Sequence, residues 1–379
     1  MKRGLLFLFL FFFISSSFIV VFSSVCASEF VEDSWSTKTS MSQVRGNLGV
    51  VCVDGKIYAI GGSTKNVGDG GTVEYVVGTN ERYDPKTDSW VTLKPMPTPR
   101  MGFTIAAYSD KIYCIGGFNT TGEGWGNSVS SCSVVEVYDT VLDKWSTKAS
   151  YPFKGAGMCA SVVDGQIFMV YGGDLFMYDI AVDVWFQKDS MPGRAPSYLN
   201  SVVVDNRILF LDAIQFDDGP SKIMIYDPKT DEWIKGQGES CDSNLGSGAV
   251  VTTGNYAPQK IYVIIADTLE VYDPVSNDWS TVSVMPTLRS SFGMAVVDDV
   301  LYVIGGYISV DMHDFFDWYA PKAVTALNES YVPIGYSSMA ITSKFELTNT
   351  LSTYLVVVVL VLIVGIVSGL FFYFKKNVG

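Results

Sequence analysis

Between residues 34 and 336 the chain alternates short apolar runs with clusters of turn residues, a period too short for packed helices. The clearest runs are Lys56-Ile-Tyr-Ala-Ile-Gly-Gly62, Lys111-Ile-Tyr-Cys-Ile-Gly-Gly117 and Val300-Leu-Tyr-Val-Ile-Gly-Gly306; looser copies lie over 166–173, 207–213 and 260–266. Downstream of the first five runs, a Tyr stands seven residues before a Trp, at Tyr83/Trp90, Tyr138/Trp145, Tyr178/Trp185, Tyr226/Trp233 and Tyr272/Trp279. Each unit reads as four strands. In the first, residues 48–53 form strand a, Asp54-Gly55 supply a positive-φ hairpin turn, and residues 56–60 form strand b. Residues 81–83 follow as strand c. Asp84-Pro85-Lys86-Thr87 then place Pro where a type I turn wants it, and strand d begins at Asp88-Ser89-Trp90. Such a unit, repeated about every 50 residues, predicts an all-β array of six four-stranded sheets.

The sixth unit lacks its own strand d, because Ser338 stands where a Trp is due seven residues after Tyr331. The missing Trp lies at the other end, in Asp33-Ser34-Trp35-Ser36-Thr37-Lys38, which is similar to Asp143-Lys144-Trp145-Ser146-Thr147-Lys148. Residues 34–38 are therefore expected to complete the last sheet and remove its open edge. Paired glycines after strand b, then Tyr and Trp at fixed distance, resemble the Kelch repeat, over essentially all of residues 34–336. That resemblance implies a six-bladed β-propeller closed by its N-terminal strand. Asp212-Ala213 and Ile265-Ala266 replace the glycine pair in blades 4 and 5, and the blade 3 pair is shifted by one residue, so these blades should be less regular. The Gly, Tyr and Trp positions are structural; they identify the fold, not the function.

The chain ends change the picture. Lys2 and Arg3, an apolar run over 5–22 and the small residues before position 27 read as a secretory signal, residues 1–27, with cleavage after Ala27. The apolar run is also long enough to act as an uncleaved anchor. Residues 28–345 form the propeller and 346–353 a short stalk. Residues 354–374, from Tyr354 to Phe374, carry no charge and match a bilayer core as one transmembrane helix. Lys375 and Lys376 open a cytoplasmic tail, 375–379, by the positive-inside rule. The expectation is a single-pass protein of the cell membrane with its propeller outside.

Residues 28–353 hold all 39 acidic residues against 22 basic ones, a net charge of −17 that argues against nucleic acid and against anionic lipid. The five cysteines after position 27 (Cys52, Cys114, Cys132, Cys159 and Cys241) lack metal-ligand spacing and read as buried thiols, with a Cys114–Cys132 bridge as the alternative.

In an a–b–c–d meander, the b–c and d–a connections share one face. From the glycine-pair position to the strand c Tyr there are 21, 21 and 25 residues in blades 1, 2 and 6, against 5, 13 and 6 in blades 3, 4 and 5. The three long loops are neighbours once the ring closes, and blades 6, 1 and 2 are the candidate binding face. Arg45, Arg100 and Arg289 each precede the first Gly of their pair by 16 residues, and are expected around the channel mouth on this face. The Kelch resemblance implies contact with acidic groups of a partner; the competing reading is that each arginine satisfies loop carbonyls. Trp125, Trp318, Tyr319 and the single histidine, His313, lie in the long loops with Phe315 and Phe316. These aromatics are anchor candidates, or else they pack the loops onto the propeller. Asp311, His313, Asp314 and Asp317 could be drawn as a metal site, but one histidine among loop carboxylates reads as a solvated run, so no metal or cofactor is assigned. Asn119 and Asn328 head the two glycosylation sequons; Asn119 is the better candidate, since Asn328 borders strand c and is open to steric masking.

With one histidine the chain lacks the copper-ligand set of Kelch-containing galactose oxidases and offers little for a Ser-His-Asp triad. The favoured reading is an extracellular binding module for an unknown protein or glycan, acidic if the arginines face it. The alternative is a carboxylate-dependent polysaccharide hydrolase or lyase.

Overall fold

The computed structural model describes residues 31–64, 76–121, 128–155, 158–193, 199–214, 221–236, 246–265, 267–308 and 323–336. The signal segment 1–27, the stalk, the apolar segment 354–374 and the tail lie outside these residues. Among the described residues no helix is long and apolar enough to cross a membrane.

The described residues contain six four-stranded antiparallel sheets. The first orders Gly49–Val53, Lys56–Ile60, Asn80–Asp84 and Ser89–Leu93 side by side, with Tyr83 opposite Trp90. The same Tyr–Trp register recurs at Tyr138/Trp145, Tyr178/Trp185, Tyr226/Trp233 and Tyr272/Trp279. In the sixth sheet Gly293–Val297, Val300–Ile304 and Asn328–Val332 are completed by Ser34–Lys38, with Trp35 opposite Tyr331. The N-terminal strand thus occupies the position of a strand d. The first strands of consecutive sheets lie beside one another in order: Gly49–Val53, Thr104–Tyr108, Cys159–Val163, Asn200–Val204, Gly246–Val251 and Gly293–Val297. The last of these packs on the first.

One sheet alone has no core, since each is a single layer. Apolar side chains are buried between sheets instead. Tyr58 and Ile60 of sheet 1 pack with Phe103, Ile112, Cys114 and Tyr138 of sheet 2, and the other four successive boundaries and the boundary between sheets 6 and 1 hold similar clusters. Each Tyr ring sits about 5 Å from its Trp and contributes roughly 1.5–3 kcal/mol of apolar burial.

Polar bonds repeat with the same regularity. Each Tyr hydroxyl donates to the side chain five residues on: Tyr83 to Asp88 at 2.6 Å, Tyr138 to Asp143 at 2.7 Å, and Tyr272 to Asn277 at 2.8 Å. The acceptors hold positive φ, 46° at Asp88 and 62° at Asn277, a region Asp and Asn tolerate better than most side chains. In the sixth copy Tyr331 donates to Asp33 at 2.8 Å, across the chain's two ends. The Trp indoles tie neighbouring sheets: Trp90 donates to the Thr39 carbonyl at 2.7 Å and Trp145 to that of Lys94 at 2.8 Å.

The glycine pair has a stated reason. Gly61 and Gly62 have φ of 61° and 101°, and the Gly62 amide donates to the Arg100 carbonyl of the next sheet at 2.8 Å. A Cβ on Gly61 would stand 2.6 Å from that same oxygen. Gly117 bonds Gly155, and Gly306 bonds Arg45, in the same way. In sheet 3 the shifted pair, Gly172-Gly173, instead makes a two-residue hairpin turn with open space around it. Sheet 4, without the pair, shows a register shift between strands b and c as expected, whereas the b–c pairing of sheets 3 and 5 stays in regular register, correcting the expectation for those two.

Cys52, Cys114, Cys132 and Cys159 are outside any disulfide. The alternative of a Cys114–Cys132 bridge is thereby corrected. Cys114 is buried between sheets, which pushes its thiol up to about 12, while the Cys132 thiol points at the Gly116 carbonyl, 3.4 Å away. Cys241 lies outside the described residues.

Candidate partner-binding face

Each of the three arginines enters strand a four residues after a buried methionine: Met41 before Arg45, Met96 before Arg100, Met285 before Arg289. All three are 0% exposed. The guanidinium of Arg100 donates to the carbonyls of Gly116 at 2.7 Å, Val134 at 2.8 Å and Cys114 at 3.3 Å, and pairs with Glu136 at 2.9 Å. Arg45 makes the same set with Gly61, Thr79, Ala59 and Glu81, the last at 2.6 Å. Arg289 makes it with Gly305, Leu327, Val303 and Glu329, the last at 2.7 Å. Burial lowers the Arg45 and Arg289 pKa values, and the partner carboxylates partly reverse this.

These are staples. Each clamps the end of strand b, at the first glycine of the pair, to the start of strand c. The expectation that Arg45, Arg100 and Arg289 ring an open channel mouth and present charge to a partner is corrected. Their terminal guanidinium nitrogens are spent on carbonyls and on a buried glutamate, and an unpaired charge at such depth would be costly. The glutamates are satisfied too: Ser42 donates to Glu81 through amide and hydroxyl, Thr98 Oγ1 to Glu136 at 2.9 Å, and Thr287 Oγ1 to Glu329 at 2.9 Å. Engaged in this way, these three carboxylates are poorly placed as proton-transfer groups.

The partner glutamates were missed in the sequence. A signal existed: Glu stands two residues before the strand c Tyr in each of the three arginine-bearing units, as Glu81, Glu136 and Glu329.

Above the staples, the three long loops start alike. The residue after each arginine pairs with the residue after its glycine pair: Gly46 with Ser63, Met101 with Phe118, Ser290 with Tyr307. The blade 2 loop continues as a hairpin, Phe118–Thr121 against Ser128–Ser131, and the blade 6 loop as Tyr307–Ile308 against Ala323–Val324. Two residues beyond each arginine the backbone takes positive φ, at Asn47 (52°), Gly102 (57°) and Ser291 (54°). These residues link the blades: Asn47 N donates to Ser291 O at 2.9 Å, and Gly102 N to Asn47 O at 2.9 Å. Asn47 Nδ2 also donates to the Tyr307 hydroxyl at 3.1 Å. Blades 6, 1 and 2 therefore share one rigid, hydrogen-bonded loop base.

Trp125, Trp318, Tyr319 and His313 lie outside the described residues, as do Phe315, Phe316, Asp311, Asp314 and Asp317. Among the described residues no group of side chains could hold a metal ion. Asn119 is half-buried at the foot of the blade 2 hairpin, where its Oδ1 accepts from Ser130 Oγ at 3.3 Å. The Asn328 sequon is corrected as a modification site. Asn328 is 0% exposed, Ser330 is buried beside it, and Asn328 Nδ2 donates to the Thr39 carbonyl at 3.3 Å.

A Kelch motif model matches residues 45–97, 99–150 and 288–318, each match lying in a unit that carries an Arg–Glu staple. Similar curated proteins include Kelch-like protein 36 of Bos taurus, 22% identical over 74% of this chain and 39% of that protein. Kelch-like protein 26 of Danio rerio is 31% identical over 71% of this chain and 37% of that protein. Alpha-scruin of Limulus polyphemus is 22% identical over 66% of this chain and 28% of that protein. The chain spans about a third of the length of such relatives. The solved structure of YjhT superposes with a TM-score of 0.59 at 12% identity, covering 76% of this chain and 95% of that one. With the repeated Tyr–Trp register, the glycine pairs and the four-stranded sheets, these likenesses make the chain a Kelch-repeat protein with a β-propeller-like fold.

Proposed function

We propose that this chain is a protein-binding module displayed on the cell surface. It is a six-bladed propeller closed by its N-terminal strand and held at the membrane by residues 354–374, with its C-terminus in the cytoplasm. The partner is engaged by the b–c and d–a loops of blades 6, 1 and 2. The observation that carries this reading is the shared loop base, in which three adjacent blades grow long loops from one set of staples and inter-blade bonds. Rigid scaffold under variable loops is the usual arrangement of a recognition surface. Kelch repeats generally serve protein–protein interaction, which favours a protein over a glycan as partner. The arginines support the loops and do not touch the partner, so an acidic partner is no longer called for.

The test shortens the loops above their bases, replacing residues 65–75, 122–127 and 309–322 singly by an Asn-Gly turn in the full chain. Each variant is screened against an array of extracellular proteins alongside its melting temperature. The reading expects unchanged melting and at least ten-fold weaker binding for one or more variants. Unchanged binding by all three would refute it.

A further inference from the structure

Among the described residues, seven large apolar side chains are more than half exposed: Val31, Val141, Leu142, Val182, Val275, Val284 and Ile334. Isolated exposed valines need no explanation. Their placement does. All but Val284 lie at the end of the sheets that carries the c–d turns, opposite the long loops. Val141-Leu142, Val182 and Val275 occupy the tips of the c–d turns in sheets 2, 3 and 5, where sheets 1 and 4 carry Lys86-Thr87 and Lys229-Thr230. Val275, 89% exposed, is the most open of them.

The first carboxylate of each of these c–d turns is turned inward, while Asp54, Asp110, Asp164 and Asp205 stand exposed in the a–b turns at the same end of the sheets. Asp139 accepts from the Val141 and Leu142 amides and pairs with Lys111 at 2.7 Å. Asp179 accepts from the Ala181 and Val182 amides, and Asp273 from those of Val275 and Ser276. The aliphatic tips therefore stand free of their own turns' carboxylates.

The chain also leaves by this face. After Asn328–Val332, Tyr336 is buried against Tyr256, ring centroids 6.2 Å apart, and the Gly335 amide donates to Glu32 at 2.9 Å. The socket is built for the purpose. The a–b connection of sheet 5 is lengthened, and Asp299 pins it by accepting from the amides of Thr253, Tyr256 and Ala257. Only residues 337–353 then separate the exit from the uncharged segment at 354. At about 3.3–3.6 Å per extended residue that reach is ample for the face to meet the bilayer its own tether enters.

We propose that the c–d turn face rests on the outer leaflet, with Val141, Leu142, Val182 and Val275 at the headgroup boundary and Lys86 and Lys229 extended to lipid phosphates. The proposal rests on the tether reading above. Contacts too weak to hold a free protein suffice here, because the tether keeps the local concentration of membrane high. The acidic balance of the domain selects a zwitterionic surface over an anionic one. The long-loop face then looks away from the membrane, toward partners on another surface or in the surrounding medium.

The full chain would be reconstituted in phosphatidylcholine vesicles, with a diazirine-bearing amino acid at position 142 or 275, or at the exposed position 154 on the loop side as control. Lipid adducts are counted by mass spectrometry after irradiation, and carbonate extraction reports the tether separately. The expected result is at least five-fold more lipid adduct at 142 and 275 than at 154, reduced when Val141→Ser, Val182→Ser and Lys86→Glu are combined. A chain that resists carbonate but gives no excess at 142 or 275 overturns the docking face and keeps the tether. Adducts at those sites on a chain that carbonate strips remove the tether and keep the face. Protein–protein adducts in place of lipid adducts would assign the face to a second copy and overturn the proposal.

Discussion

Replacing Arg100 by Met removes one staple while keeping most of its apolar stem. The guanidinium gives up its bonds to the carbonyls of Gly116, Val134 and Cys114. Glu136, itself 3% exposed, is left with Thr98 as its remaining partner. Breaking a buried ion pair from one side costs about 3–5 kcal/mol, because the surviving charge stays desolvated. In a large domain each kcal/mol moves the melting temperature by roughly 2–4 °C, so Arg100→Met should lower it by about 6–20 °C. Adding Glu136→Leu should recover a substantial part of the loss, since an apolar pair of similar volume is often neutral where half an ion pair is not. Calorimetry on the two variants decides it. The reasoning is refuted if Arg100→Met melts within about 2 °C of the parent, or if the double variant is no better than the single. Binding per folded molecule should be unchanged in both; a specific loss there would return Arg100 to the partner surface.

Gly61→Ala should destabilise by more than the roughly 1–2 kcal/mol of a positive-φ residue alone, because its Cβ meets the Arg100 carbonyl at 2.6 Å; Gly172→Ala, in open space, should cost only the backbone part, and denaturant unfolding of both compares them. Burial alone would raise the Asp299 carboxyl, but the amides of Tyr256, Thr253 and Ala257 outweigh it and hold it below the ordinary range. Its contribution is thus full at neutral pH and is lost as pH falls through the carboxylate range, so melting of Asp299→Asn should differ most from the parent near pH 7 and converge with it at low pH. Mass measurement on native secreted-route material should find glycan at Asn119 and none at Asn328. Asp33→Ala removes the acceptor of the Tyr331 hydroxyl and should lower melting as Asp88→Ala does in sheet 1; a smaller effect at Asp33 would mean the end-to-end junction carries less load than the continuous turns.

Most of the scaffold was legible because it repeats. The seven-residue Tyr–Trp offset is the register of two antiparallel strands across a tight turn, so Trp35 could be matched to Tyr331 although some three hundred residues separate them. The glycine pair was legible as a place of unusual φ, though not which neighbour it approached. The arginines were placed at the right step of the chain and at the wrong depth. Spacing locates a residue along a strand entrance, but whether its head reaches solvent depends on what faces it across strand c, and the glutamates were not read as its partners. Masking at Asn328 was legible in its place beside strand c, but a sequon is a local pattern, and the N-terminal segment that covers it is seen only in the fold. The apolar turn tips were visible as departures from Pro-Lys-Thr, but only the sheet topology puts Val141, Val182 and Val275 on one face.

The distribution of staples along the chain has a physical logic that bears on where recognition can evolve. By the logarithmic dependence on length, the b–c connection of sheet 6, residues 305–327, costs about 2 kcal/mol more closure entropy than the tight turn of sheet 3. In sheet 3 the connection is a two-residue turn, and Gly155 stands where Arg100 stands in sheet 2, bonded through the same carbonyl position to the preceding glycine pair. A tight turn holds strands b and c together unaided. Where the connection is long, the loop no longer fixes the strand ends, and something below it must. Arg45, Arg100 and Arg289 do so by bonding the last carbonyls of strand b, the residue before strand c and a glutamate within it. The strand ends are thereby held from below the loop rather than by it. Staple and long loop coincide in blades 6, 1 and 2, the three units that also match the Kelch motif model. Among the described residues, the staples give blades 6, 1 and 2 the foundation that the proposed recognition loops require.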